Sequence, residues 1–174
     1  MGVRSAAVLV LAVVFPVSAA ADEPARAPAA SPPAALVGSW RLVSNQEHRA
    51  DGRVTDVWGS EPNGRLVYDA HGRMSVQLMD RRRPRFASAD RAAGTPEETK
   101  AAFVGFLAYF GTYTVDEKEG VIVHHVEGAS FPNLIGTDQR RTFTLSGNRL
   151  TLGTPPILAA GRTSVFVLVW EREQ

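Results

Sequence analysis

From Leu36 onward, short β-prone runs alternate with turn residues at close spacing, and this alternation limits the folds open to the chain more than any other feature. The runs fall at 38–46, 53–58, 64–69, 73–79, 111–116, 121–127, 138–145, 149–153 and 162–171. Between them, Asp51-Gly52, Asp69-Ala70-His71-Gly72, Glu117-Lys118-Glu119-Gly120 and Ser146-Gly147-Asn148 supply the residues that tight hairpins require. Phe143-Thr144-Leu145 and Leu150-Thr151-Leu152 alternate apolar with polar, which buries one face of each. The expectation is an all-β domain, an antiparallel up-and-down barrel of about 8–10 strands.

One helix is predicted to interrupt the meander near 96–110. Thr95-Pro96-Glu97-Glu98 is a capping box with proline at the first helical position. Phe103, Phe106, Leu107 and Phe110 follow at helical spacing, and Gly111 closes the segment. Such a stripe has to press on one mouth of the barrel or on its outer wall.

The N-terminus reads as an address. Residues 1–21 join Arg4, an apolar run from Ala6 to Phe15, and small residues around Ala19-Ala20-Ala21, the pattern of a cleavable signal peptide. The apolar run is about half the ~20 residues of a spanning helix. Residues 22–35 are rich in Pro and Ala and are expected to form a disordered linker, so the folded domain is assigned to 36–174. This predicts a periplasmic or secreted protein with no stable membrane insertion after cleavage.

Composition removes several function classes. The chain has 19 Lys and Arg against 18 Asp and Glu, so no basic surplus draws it to nucleic acid. With no cysteine, it forms no disulfide and offers no thiol nucleophile or thiolate metal ligand. Gly-x-Ser-x-Gly, P-loop and dinucleotide fingerprints are missing. No cofactor and no metal are expected, because adjacent His124 and His125 point to opposite faces of a strand and cannot chelate one ion.

A family resemblance comes from motifs at both ends and in the interior. The first strand begins Gly38-Ser39-Trp40 and the last ends Trp170-Glu171-Arg172, an arrangement similar to the lipocalin closure. That resemblance implies an Arg172 guanidinium covering the Trp40 indole at the closed end, beside Gly38. Six interior segments resemble those of bacterial and fungal lipocalin-like domain proteins: Met74–Leu78, Arg83–Ser88, Ala108–Tyr113, His124–Gly128, Phe131–Asn133 and Gly136–Arg140. The resemblance covers essentially all of 36–174 and implies a calycin-type barrel, without implying an activity. The chain differs from secreted animal lipocalins in lacking their disulfide and Thr-Asp-Tyr motif, and in placing its helix mid-chain.

Polar residues on such a barrel are candidates for orienting one end of a ligand. His125 and Glu127 share a strand face at i and i+2, where a carboxylate beside imidazole favours the charged ring and suits it to acid/base work or to a polar ligand end. On 138–145, Gln139 and Arg141 share a face with Phe143 and Leu145, and Arg140 shares the other with Thr142 and Thr144. Arg140 or Arg141 is a candidate anchor for a carboxylate or enolate, or one half of a structural ion pair. Gln77, Tyr109, Tyr113 and Asn133 complete the ligand-binding candidates, with Tyr109 placed on the helix.

The leading expectation is a carrier or binder of a small, largely hydrophobic molecule. One alternative is a cofactor-free isomerase, cyclase or hydrolase using His125 and Glu127 in the same cavity. Another is an interaction module that meets an anionic partner through the run Arg81-Arg82-Arg83-Pro84-Arg85. Strand register decides between His124 and His125, since a slip of one residue exchanges them.

Overall fold

The computed structural model describes residues 32–173; the expected leader at 1–21 and residues 22–31 of the expected linker lie outside the described residues. Ten strands follow in chain order: β1 (Gly38–Arg49), β2 (Val54–Asp56), β3 (Asn63–Tyr68), β4 (Arg73–Met79), β5 (Phe106–Asp116), β6 (Val121–Ala129), β7 (Asp138–Ser146), β8 (Arg149–Gly153), β9 (Ile157–Ala159) and β10 (Arg162–Arg172). One helix, α1 (Pro96–Val104), sits between β4 and β5. Among the described residues no helix is long and apolar enough to cross a membrane.

Every pairing is antiparallel, and β1 bonds to both β3 and β10, so eight strands close on themselves in the order β1-β3-β4-β5-β6-β7-β8-β10. The two short strands are additions. β3 leaves β1 after Arg41, and β2 takes over that edge at Gln46–His48. In the same way β9 pairs with Arg162–Ser164, beyond the reach of β8. Closure removes the free sheet edges on which chains aggregate.

Alternation along the strands builds the core. Leu66 and Tyr68 of β3, Met74, Val76 and Leu78 of β4, and Ile122 and Val126 of β6 all point inward and are buried. The hairpins at Gly72, Gly120 and Gly147 each use a glycine with positive φ, as the Gly-containing turn motifs require.

Connections alternate between the two ends. The three hairpins that join consecutive strands of the closed barrel lie at one end, and the longer connections β1–β3, β4–β5, β6–β7 and β8–β10 lie at the other, together with the short β1–β2 and β9–β10 hairpins.

At the hairpin end, Arg172 stacks on Trp40 with its guanidinium carbon 4.1 Å from the ring centre. It also donates to the carbonyls of Val37, at 2.7 Å, and Ala35. Trp40 is fully buried and donates from Nε1 to the Leu36 carbonyl at 3.0 Å. A Cβ on Gly38 would meet Arg172 Nη1 at 2.7 Å, which explains the glycine. Residues 33–37 form turns beneath this cluster and bury Leu36 against it.

The helix is shorter than the sequence implied. The capping box forms as expected, with Thr95 and Glu98 bonded reciprocally. Helix α1 nevertheless ends at Val104, and Phe106 to Phe110 belong to β5. Leu107 and Tyr109 also satisfy period two, and β4 offers four partners from Val76 to Met79. Long-range pairing of an aromatic, β-prone run overrides its local helical spacing. Gly111 therefore sits inside a strand, opposite a bulge in β6 at Glu127.

Candidate functional site

The barrel encloses a cavity of about 380 Å³, within the range of small-molecule sites. Its walls are mostly apolar: Leu66, Val76, Leu78, Leu107, Leu152, Phe166 and Leu168 line it. The end with the longer connections forms the mouth. There Phe103 and Val104 of α1, Phe131 of the β6–β7 loop and Ile157 of β9 reach the cavity while remaining exposed. Trp58 joins them on a left-handed backbone, φ +64°, which is uncommon for so large a side chain.

A polar group stands on one wall. His124 is buried at 1% exposure, with Nε2 2.6 Å from the Tyr68 hydroxyl and Nδ1 3.0 Å from the Tyr109 hydroxyl. Tyr109, His124 and Arg141 line the cavity, whereas Tyr68 lies behind them. Burial, reinforced by the Arg141 charge, lowers the His124 pKa to about 3, so its ring is neutral at ordinary pH. Burial also pushes the Tyr68 phenol well above its usual range. Tyr109 is raised by burial, against an opposing pull from the charge and hydrogen bonding of Arg141.

A neutral imidazole has one donor and one acceptor nitrogen, which constrains the protons. The Tyr68 hydroxyl has no other hydrogen-bond partner among the described residues, so it donates to Nε2. Nδ1–H then donates to Tyr109, and the Tyr109 hydroxyl proton is left to face the cavity. The reverse arrangement would bury the Tyr68 proton without an acceptor, at a cost of about 1–3 kcal/mol.

β5 and β6 lie across the ring from β10 and β1. On those opposite strands, Trp170 and Asn45 also line the cavity, and the buried Trp170 Nε1 and Asn45 Oδ1 have no partner among the described residues. Polar groups thus face the interior from both walls.

The structure divides the sequence candidates. Tyr109 and Arg141 line the cavity, though Tyr109 stands on a strand and not on the helix. Tyr113 is buried at the closed end, stacked on Tyr68 with ring centres 4.4 Å apart and bonded to the Asp69 carbonyl at 2.9 Å. Gln77 points away from the interior, because Val76 and Leu78 occupy the inner positions of β4. Asn133 is exposed in a turn, and Arg140 is exposed on the outer face opposite Val123.

The His125–Glu127 pair is not in the cavity. Register sets Tyr113 opposite His124, which turns His124 inward and His125 outward. His125 meets Asp138 at 2.6 Å and Thr114 at 3.1 Å, and Glu127 is exposed at the bulge. Neither strand face of 121–127 is clearly polar, since valines flank both histidines. Glu127 was the usable signal: a carboxylate two residues from His125 marks that face as solvent-facing. Tyr68 carried no chemical motif and was legible only as an alternating strand position, Trp170 entered only through the closing motif, and a bulge between Leu42 and Ser44 takes Asn45 off the alternation set by Trp40 and Leu42.

Two of the four arginines in the run, Arg82 and Arg83, are engaged in local structure. Arg82 pairs with Asp80 at 2.9 Å, and Arg83 lies over Phe106 at 5.3 Å.

The family model of the lipocalin-like domain matches residues 37–173. A protein of Aspergillus oryzae, named as a 4'-hydroxy-3'-methoxypropiophenone carrier protein, is 33% identical over 106 residues. That match covers 57% of this chain and 96% of the fungal protein.

Proposed function

The chain belongs to the lipocalin-like domain family, and from that premise we propose that it is an exported carrier of a small, largely hydrophobic molecule held inside the barrel. The observation that carries this reading is the cavity itself. It is apolar along most of its walls, sealed at one end and supplied with a few convergent polar groups. The fungal relative's name, a carrier of a phenolic ketone, supports a cargo of comparable size and polarity.

Native mass spectrometry of the mature protein, purified gently from its own host, tests the reading. A stoichiometric added mass that disappears on denaturation is expected. An empty protein that also fails to bind N-phenyl-1-naphthylamine would overturn it. Export is tested by N-terminal sequencing: the mature chain is expected to begin near Ala20–Asp22 in the periplasm or medium. An intact Met1 in the cytoplasm overturns that part.

A further inference from the structure

Among the described residues lining the cavity, Arg141 carries the one formal charge at neutral pH, since His124 is neutral and no carboxylate is present. Its guanidinium is held by local bonds, Nη1 to the Arg140 carbonyl at 2.7 Å and Nη2 to Gln139 at 3.4 Å. No carboxylate pairs with it among the described residues. Of the other partly buried arginines, Arg49 meets Glu47 at 2.9 Å, and Arg83 and Arg172 lie over the rings of Phe106 and Trp40. A cation facing an apolar chamber without a counterion is costly unless something else supplies the negative charge.

The neighbouring groups point the same way. The Tyr109 hydroxyl proton faces the cavity because His124 Nε2 accepts the hydrogen bond from Tyr68, which leaves Nδ1–H to donate to Tyr109. Across the ring, Trp170 Nε1–H is buried without an acceptor. Against the one unpartnered acceptor named there, Asn45 Oδ1, the chamber offers the Tyr109 and Trp170 donors and one positive charge, all in a setting where charge-assisted hydrogen bonds are strong.

We propose that the cargo is an anion, an aromatic or alicyclic body bearing a carboxylate or an acidic phenol or enol, with its oxygen bound between Arg141 and the Tyr109 hydroxyl. This rests on the carrier reading and names the chemical class of that same site.

Matched naphthalene probes test it by calorimetric titration: 2-naphthoate (anionic), 2-acetylnaphthalene (a neutral acceptor) and 2-ethylnaphthalene (no acceptor). On the wild-type protein, naphthoate is expected to bind about tenfold or more tighter than ethylnaphthalene, with acetylnaphthalene between them. Arg141→Met is expected to cut the naphthoate advantage over ethylnaphthalene, both measured on the variant, to about threefold or less. Arg141→Lys should restore part of the advantage, and Tyr109→Phe should weaken both oxygen-bearing probes.

Equal affinities for naphthoate and either neutral probe in the wild-type protein overturn the proposal. So does an advantage that survives in Arg141→Met. Because the wild-type comparison decides on its own, the test does not depend on a variant folding. Ethylnaphthalene binding without an anion preference removes only the anionic cargo. Failure of all three probes to bind removes the carrier reading as well.

Discussion

The guanidinium of Arg172 lies 4.1 Å from the centre of the Trp40 ring and ties the last strand of the barrel to the first. The same side chain donates to the carbonyls of Val37 and Ala35. A cation over an indole contributes about 0.5–2 kcal/mol, and each hydrogen bond about 1 kcal/mol net. Arg172→Met should therefore lower unfolding free energy by about 2–4 kcal/mol in urea denaturation. Arg172→Lys should recover only part, because an ammonium cannot lie flat on the ring while forking to two carbonyls.

Acid should weaken the fold through His124 before it acts through the carboxylates. The folded-state pKa is about 3, below the unfolded value, so its stabilising effect is complete above about pH 6.5. As pH falls, the unfolded chain takes up a proton that the folded chain refuses, and stability drops by up to about 1.4 kcal/mol per pH unit. Glu47 is held down to about 2, first by its Ser164 and Arg49 hydrogen bonds, so its stabilising effect fades only at lower pH. Chemical denaturation between about pH 6.5 and 5 should therefore show a slope that His124→Gln flattens. A flat wild-type profile over that interval would contradict the assignment.

The two adjacent histidines should separate in binding. His124→Gln disturbs the hydrogen bonds to Tyr68 and Tyr109, and is expected to weaken N-phenyl-1-naphthylamine by about fivefold or more. His125→Gln alters contacts on the outer face, those with Asp138 and Thr114 among them, and should change affinity by less than about twofold. Fluorescence titration of both variants against wild type reads this directly.

Gly111→Ala tests the strand that replaced the expected end of the helix. A Cβ there would stand 2.0 Å from the His125 carbonyl oxygen, and its nearest neighbours are all backbone atoms of β6, which cannot swing aside as a flexible side chain would. The loss should exceed about 3 kcal/mol, or the protein should fail to fold. Gly52→Ala, at φ +83° with open space around it, should cost only about 1 kcal/mol. Thermal melts of the pair would separate clash from backbone strain.

Much of the architecture was readable because it is local. The hairpin glycines, the Thr95–Glu98 capping box and the period-two runs each state their own conformation within a few residues. Phe106–Phe110 misled because its aromatics satisfy helical spacing and strand alternation at once, and only the partners on β4 break the tie. The site was harder for a related reason. Which of His124 and His125 looks inward depends on register against Tyr113, a relation between two strands that neither encodes alone. Arg141 was recoverable because it shares a face with Phe143 and Leu145. Tyr68, Asn45 and Trp170 owe their roles to ring closure, which brings strands distant in sequence around one space.

Sealing one end of the barrel also makes it a vessel with a single door. With Trp40, Arg172 and Leu36 stoppering the base, a molecule inside leaves past the same Phe103, Phe131 and Ile157 rim by which it entered. For the proposed carrier, unloading is then loading in reverse, and whatever supplies the molecule would occupy the threshold that its recipient needs. Transfer from one to the other has to proceed in turn: supplier off, recipient on. A straight-through relay has no route in this geometry.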